Sequence, residues 1–163
     1  HLEHKTEIGG VVLDLRDRAA AAAAAARLSG LTESLLVEEM IGDGVAELLV
    51  GVIVDPQFGQ VLVLGAGGVA AELLADSITL LPPWDAESIR AALGRTRIGR
   101  LLAGYRGKPP GDVTALVDAI VRIGEFAAAN ADSLAELDVN PLIVRPAGSG
   151  VAAVDVLIRS MED

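Results

Sequence analysis

Cysteine is absent from the 163 residues. That absence excludes thiol catalysis, disulfides and thiolate metal sites. Aromatic side chains make up only 2% of the chain against 52% hydrophobic residues, so any core must be built from Val, Leu, Ile and Ala. Cations are outnumbered, and the formal net charge is −10. A nucleic-acid partner, which demands clustered Lys and Arg, is not expected. No apolar run reaches membrane-spanning length, because charges or glycines interrupt each one. No secretory signal pattern opens the chain. The expectation is a cytoplasmic protein without membrane or nucleic-acid partners. The length suits one domain or one large piece of a domain, and it suffices to bury a core.

Alanine, glycine and aliphatic runs fill the space that the missing residues leave. Val11–Leu15 reads as a strand, followed by an alanine-rich helix that Asp17 can cap and Gly30 can end. Leu35–Met40 and Glu47–Asp55 read as the next strands. Asp55-Pro56-Gln57-Phe58-Gly59 is a turn, because Pro fixes one backbone angle and Gly frees another. Gln60–Leu64 returns as a strand, so the pair forms an antiparallel hairpin. Leu80–Trp84 reads as an extended connection. Helices follow at about 85–93, 97–103 and 112–130, the last with Val113, Leu116, Val117, Ile120 and Val121 at helical spacing. Strands 136–144 and 151–158 close the chain around a turn at 146–150. No internal repeat and no linker divides it. Strands and helices do not alternate regularly, which predicts an α+β fold with a mostly antiparallel sheet and packed helices.

Several residues in this order could carry chemistry. Side chains alternate along a strand, so Glu136, Asp138 and Asn140 share one face. Pro141 cannot donate to a ladder and places this strand at an edge or ends it. An antiparallel neighbour could bring Asp155 beside Asn140. Carboxylate and amide oxygens suit Mg²⁺, which keeps water and nucleotide phosphate in its shell. A solvated polar strand face is the alternative. Gly65-Ala66-Gly67-Gly68 could approach phosphates through backbone N–H groups, or be a plain turn. It is not a Walker loop, and no G-K-[ST] occurs anywhere. Glu47 and Glu72 lie in apolar stretches, as metal or phosphate-side ligands or as surface residues. His4 could act as a nucleophile that carries a phosphoryl group, or be an exposed terminal histidine.

Taken in order, these segments resemble the ATP-grasp part of NDP-forming acyl-CoA synthetases. The resemblance rests on His4-Lys-Thr-Glu-Ile-Gly-Gly-Val11, Leu36-Val-Glu-Glu-Met40, Glu47-Leu-Leu-Val-Gly-Val52, Asp55-Pro-Gln-Phe-Gly59, Gly65-x-Gly-Gly68 with Glu72, Gly104-Tyr-Arg-Gly107, and Glu136-Leu-Asp-x-Asn-Pro-Leu142 with Ala153-Val-Asp155. The family reaction that it implies is acyl-CoA + ADP + phosphate ⇌ carboxylic acid + CoA + ATP, with a phosphoryl group relayed on histidine. It implies an ATP-grasp-like C-terminal lobe with ATP or ADP as substrate and Mg²⁺ as cofactor. By resemblance, His4 is the relay histidine and Asn140 and Asp155 bind Mg²⁺. Glu38, Glu39 and Met40 line the adenine pocket, and Gly67, Gly68 and Glu72 belong to the loop near the phosphates.

The match has departures. Ala46 precedes Glu47 where many members have arginine, and 28–35 is shorter than usual. The family's upstream lobe, with its nucleotide-binding lysine, has no counterpart in 1–163, nor do the CoA-binding and ligase domains. The chain opens without Met, and a natural sequence that continues upstream is expected. Residues 1–163 are thus expected to be a partial ATP-grasp domain, inactive alone, whose partners are those further domains or a partner subunit in an oligomer. The alternative is a regulatory, acyl-CoA synthetase-like module of a protein lysine acetyltransferase. His4 favours the enzyme, because a purely regulatory copy need not keep it.

Overall fold

The structure is a computed structural model that describes residues 9–32, 34–68 and 76–161. The chain forms two compact units that divide between Gly42 and Asp43.

Among its described residues, the first unit holds one helix, α1 (Arg18–Leu28). Asp17 caps it by accepting from the Ala20 N–H at 2.8 Å, which satisfies one of the donors that a helix start leaves open. Its last turn closes on Ser29 rather than Gly30. Val11–Leu15 and Leu35–Met40, expected as strands, form no ladder among the described residues. A strand exists only through a neighbour that takes its N–H and C=O groups. Leu36 and Val37 are 81% and 83% exposed, so these stretches lack cover as well as pairing.

Among the described residues, the second unit is a six-stranded antiparallel sheet with three helices against it. Its elements are β1 (Ala46–Asp55), β2 (Gly59–Ala66), β3 (Ser77–Leu80), α2 (Ala86–Arg95), α3 (Arg97–Leu102), α4 (Val113–Ala129), β4 (Leu134–Val144), β5 (Val151–Ala153) and β6 (Val156–Ser160). The strand order is β3-β2-β1-β4-β5, with β6 also on β4. The hairpin at 55–59 forms as the sequence dictates. Asp55 accepts from the Gln57 and Phe58 N–H groups at 2.8 and 3.0 Å, and Gly59 turns the chain at φ +71°.

The sequence assigns no element to 77–79, and one expectation needs correction here. Ser77–Leu80 is a strand on β2, and Trp84 folds back to donate its indole N–H to the Leu80 carbonyl at 3.1 Å. The single closing strand expected at 151–158 is broken at Val154–Asp155 into β5 and β6.

One sheet face carries the core. Leu48, Val50, Val52, Leu62, Leu64, Leu137, Val139, Leu142 and Val144 are buried there with Ile89, Leu116, Val117 and Ile120 of the helices. Side chains begin each helix. Asp85, Thr96 and Asp112 accept from the N–H groups of Ser88, Gly99 and Ala115. Among the described residues no helix is long and apolar enough to cross a membrane.

Candidate functional site

The opposite sheet face carries the polar residues. Along β1, Leu48, Val50 and Val52 turn to the helices, so Glu47, Leu49, Gly51 and Ile53 turn away from them. Gly51 pairs with Asp138 on one side and Val63 on the other. Glu136, Asp138 and Asn140 of β4 therefore stand on this same open face.

A β-bulge shapes the centre. Leu48 pairs with Leu142 and Val50 with Val139, so Leu49 alone faces both Asn140 and Pro141. Burial along β4 shows the same slip, as Leu137 and Val139 are followed by Leu142 and Val144. Bulges re-aim side chains and interrupt pairing. β4 lies inside the sheet and runs on past Pro141, so the edge or strand end expected there is not found; Pro141, which has no N–H, occupies the interruption at no cost in hydrogen bonds. The break between β5 and β6 lies against this bulge. The Asn140 N–H donates to the Asp155 carbonyl at 3.0 Å, and the Val154 N–H to the Pro141 carbonyl at 3.1 Å.

The glycine turn closes over the same spot. The Gly67 N–H donates to the Glu47 carbonyl at 2.9 Å. A Cβ at Gly67 would lie 2.5 Å from the Leu48 carbonyl carbon, so no other residue fits. Gly68 has φ +59°, and its N–H donates to Asn140 Oδ1 at 3.2 Å. The Glu47 carboxylate fills the space that a side chain at Gly68 would need. Gly67, Gly68, Glu47 and Asn140 thus meet, although they come from three separate stretches of sequence. Asp155 joins them through the backbone of Asn140.

Asp138 carries the electrostatic signature. Its Oδ1 is buried and has no hydrogen-bond partner among the described residues. Burial raises its pKa above the ordinary carboxylate value, and the charges of Glu136 and Asp155 raise it further. A carboxylate pushed this way by two others marks a place short of positive charge. Among the described residues, no three carboxylate or imidazole groups form a metal site by themselves. The set of one amide oxygen and neighbouring carboxylates instead fits Mg²⁺. That ion takes one or two protein oxygens and fills its other positions with water and phosphate.

Of the remaining expected site residues, Glu38, Glu39 and Met40 lie exposed in the extended stretch of the first unit. His4 and Glu72 lie outside the described residues. Sequence reasoning placed Asp138 only as a neighbour of Asn140 and left Glu47 open between ligand and surface. The period-two spacing of Asp138 and Asn140 was the available signal for the first. The contact of Glu47 with Gly68 has no local signal in the sequence.

A helix-backed antiparallel sheet, with carboxylates, an amide and a glycine turn gathered on its open face, defines a nucleotide-handling lobe of the grasp type. The chain belongs to the ATP-grasp domain family, whose model matches residues 1–159. It is 41% identical over 166 residues to a trans-feruloyl-CoA synthase from an unknown prokaryotic organism, covering 96% of this chain and 23% of that protein. It is 32% identical over 124 residues to the beta subunit of an ADP-forming acetate–CoA ligase of Pyrococcus furiosus, covering 76% of this chain and 52% of that subunit. Among solved structures it matches the dinucleotide-forming acetyl-coenzyme A synthetase 1 of Candidatus Korarchaeum cryptofilum at a TM-score of 0.85 and 34% identity, over 97% of this chain and 71% of that one. That synthetase was solved with coenzyme A and Mg-AMPPCP, its phosphohistidine segment pointing towards the nucleotide binding site. The resemblance drawn from the ordered motifs is borne out, as is the antiparallel, helix-packed fold. The chain spans about a quarter of the length of the trans-feruloyl-CoA synthase.

Proposed function

We propose that residues 1–163 are part of an ATP-grasp domain that serves as the nucleotide-binding module of an NDP-forming acyl-CoA synthetase. The module exchanges a phosphoryl group between Mg²⁺-bound ADP or ATP and a histidine, within the reaction acyl-CoA + ADP + phosphate ⇌ acid + CoA + ATP. The observation that carries this reading is the meeting of Gly67, Gly68, Glu47 and Asn140 beside the carboxylates of Asp138 and Asp155.

Phosphoryl transfer asks a protein chiefly for positioning and charge neutralisation. The bound cation would supply the second. Asn140 and Asp155 hold it, and the glycine turn sets the distance between phosphates and sheet. Glu38, Glu39 and Met40 line the adenine side. His4 is the nucleophile that accepts and returns the phosphoryl group, and Glu72 lies near the phosphates. The CoA-binding and ligase domains that handle the acyl group are partners, in the same protein or as a companion subunit of a cytoplasmic oligomer.

The test uses the complete protein. Incubation with γ-labelled ATP and Mg²⁺ is expected to place acid-labile label on His4, since a phosphoramidate is cleaved by acid. His4→Ala should remove the label and stop acyl-CoA formation while sparing nucleotide binding, because a nucleophile is needed for transfer and not for docking. Full synthetase activity in the His4→Ala protein would defeat the relay role, whereas no label and no acyl-CoA formation in the unmodified complete protein would favour a regulatory module.

A further inference from the structure

The N–H groups of the glycine turn are taken up inside the protein. Ala66 donates to the Asp76 carbonyl at 3.1 Å, Gly67 to the Glu47 carbonyl at 2.9 Å and Gly68 to Asn140 Oδ1 at 3.2 Å. A turn that cradles phosphate aims successive N–H groups at the anion instead. Both glycines are explained without one. Gly67 lies against the Leu48 backbone, and Gly68 combines φ +59° with a Glu47 carboxylate where its side chain would stand.

The Gly68 bond falls on a residue proposed to ligate the cation. An amide has an oxygen at one end and an NH₂ at the other, nearly alike in size, and only the oxygen suits Mg²⁺. Rotation about the last side-chain bond would exchange the two ends. A backbone N–H can only donate, so it pairs with Oδ1 and turns Nδ2 away. An amide oxygen has two lone pairs, and one stays open beside the Gly68 bond. Among the described residues this is the one hydrogen bond of the Asn140 side chain. The backbone of Asn140 is fixed separately, by its own N–H to the Asp155 carbonyl at 3.0 Å.

We infer that the glycine turn positions a cation ligand and does not bind phosphate through its N–H groups: the Gly68 N–H fixes the Asn140 amide so that Oδ1, and not Nδ2, is the end offered to the cation. The inference rests on the cation site proposed above and names what orients it. Gly68 is a positioning residue that acts through Asn140. Its own place is set by Glu47, whose carbonyl holds the Gly67 N–H and whose carboxylate rests against Gly68. The strand order β2-β1-β4 makes this a long reach, since the turn at the end of β2 crosses β1 to touch β4. Partners that orient a metal ligand in this way are worth about 10–100-fold in metal affinity.

The experiment replaces one atom group in the complete protein. Glycolic acid in place of Gly68 turns its N–H into an ester oxygen and leaves every side chain as it was. Two affinities are then measured: Mn²⁺ in the presence of AMPPCP, and AMPPCP alone in EDTA. Mn²⁺ affinity should fall about 10–100-fold, and metal-free AMPPCP affinity should not change. Asn140→Asp in the ester-containing protein should restore Mn²⁺ binding, because a carboxylate presents an oxygen at either end. Unchanged Mn²⁺ affinity in the ester would overturn the inference. So would an equal loss of metal-free AMPPCP affinity, which would show that the N–H serves phosphate. Failure of Asn140→Asp to restore binding would place the ester's effect on the turn and not on the amide, and would overturn it as well. Asn140→Ala with the ordinary backbone separates this inference from the reading beneath it. Mn²⁺ binding that survives Asn140→Ala refutes the cation site itself. Binding lost in Asn140→Ala but intact in the ester refutes only the positioning by Gly68.

Discussion

The two faces of one sheet do opposite work. Leu62, Leu64 and Leu142 on the helix-covered face are buried among aliphatic neighbours and add stability wherever they touch. On the open face, Asp138 is held with an oxygen that has no partner among the described residues, beside two further carboxylates, and Gly67 sits so close to the Leu48 backbone that a side chain there would collide with it. The first arrangement minimises free energy. The second holds charge and strain against it, the usual mark of a face kept for a ligand.

Truncations on the covered face should give the largest stability losses. Leu62→Ala or Leu142→Ala removes a side chain at 0% or 2% exposure and is expected to cost about 2–5 kcal/mol in chemical denaturation. Nucleotide affinity per folded molecule should stay unchanged. A loss of affinity without a loss of stability would erase the division between faces.

On the open face, Gly67→Ala should behave in the reverse way. The new methyl would meet the Leu48 backbone, so the turn must move. Overpacking of this kind costs about 1–3 kcal/mol. In the complete protein, nucleotide affinity measured by calorimetry should fall by more than that destabilisation explains.

Asp138→Asn gives a smaller effect of the opposite sign. Burial, then Glu136 and Asp155, raise the folded-state pKa above the unfolded value. Between those two values the folded state holds more protons, so stability falls as pH rises through that window and stays lower at neutral pH. Removing the charge should flatten this slope and raise neutral-pH stability by up to about 1 kcal/mol. Mg²⁺ with nucleotide should flatten it too in the unmodified complete protein. A slope that is unchanged in Asp138→Asn would show that another group causes it.

Asp112 provides the smallest and most local contrast. Its carboxylate accepts from Ala115 at the start of α4 and from Gly148 and Gly150 in the β4–β5 turn. Those N–H groups, Ala115 first, lower its pKa. Its contribution is therefore present above the ordinary carboxylate pKa and fades as pH falls through the depressed value. Asp112→Ala should lower the urea midpoint at pH 7 and do so less with increasing acidity.

Much of the covered face was legible because its signals are local. The 55–59 turn and the helical spacing from Val113 to Val121 each declare themselves within a few residues, as does the Asp17 cap of α1 in the first unit. Val11–Leu15 and Leu35–Met40 carry strand-like composition, but composition supplies no partner for a backbone. The break at Val154–Asp155 follows from the bulge at Asn140–Pro141 on another strand, and an apolar run such as 151–158 gives no sign of it. The site was read in pieces. Asn140 and Asp155 came from spacing and resemblance, whereas the approach of Glu47 to Gly68 depends on a close packing of β1 against the end of β2 that only the folded chain shows.

The central claim is that the open face holds a divalent cation together with nucleotide. The direct measurement is electron paramagnetic resonance of Mn²⁺, a stand-in for Mg²⁺, titrated into the complete protein with AMPPCP. The account predicts one nucleotide-dependent bound Mn²⁺ per module, lost in the Asn140→Ala, Asp155→Ala double variant while its unfolding transition remains cooperative. An equal amount of bound Mn²⁺ in a folded double variant would contradict it.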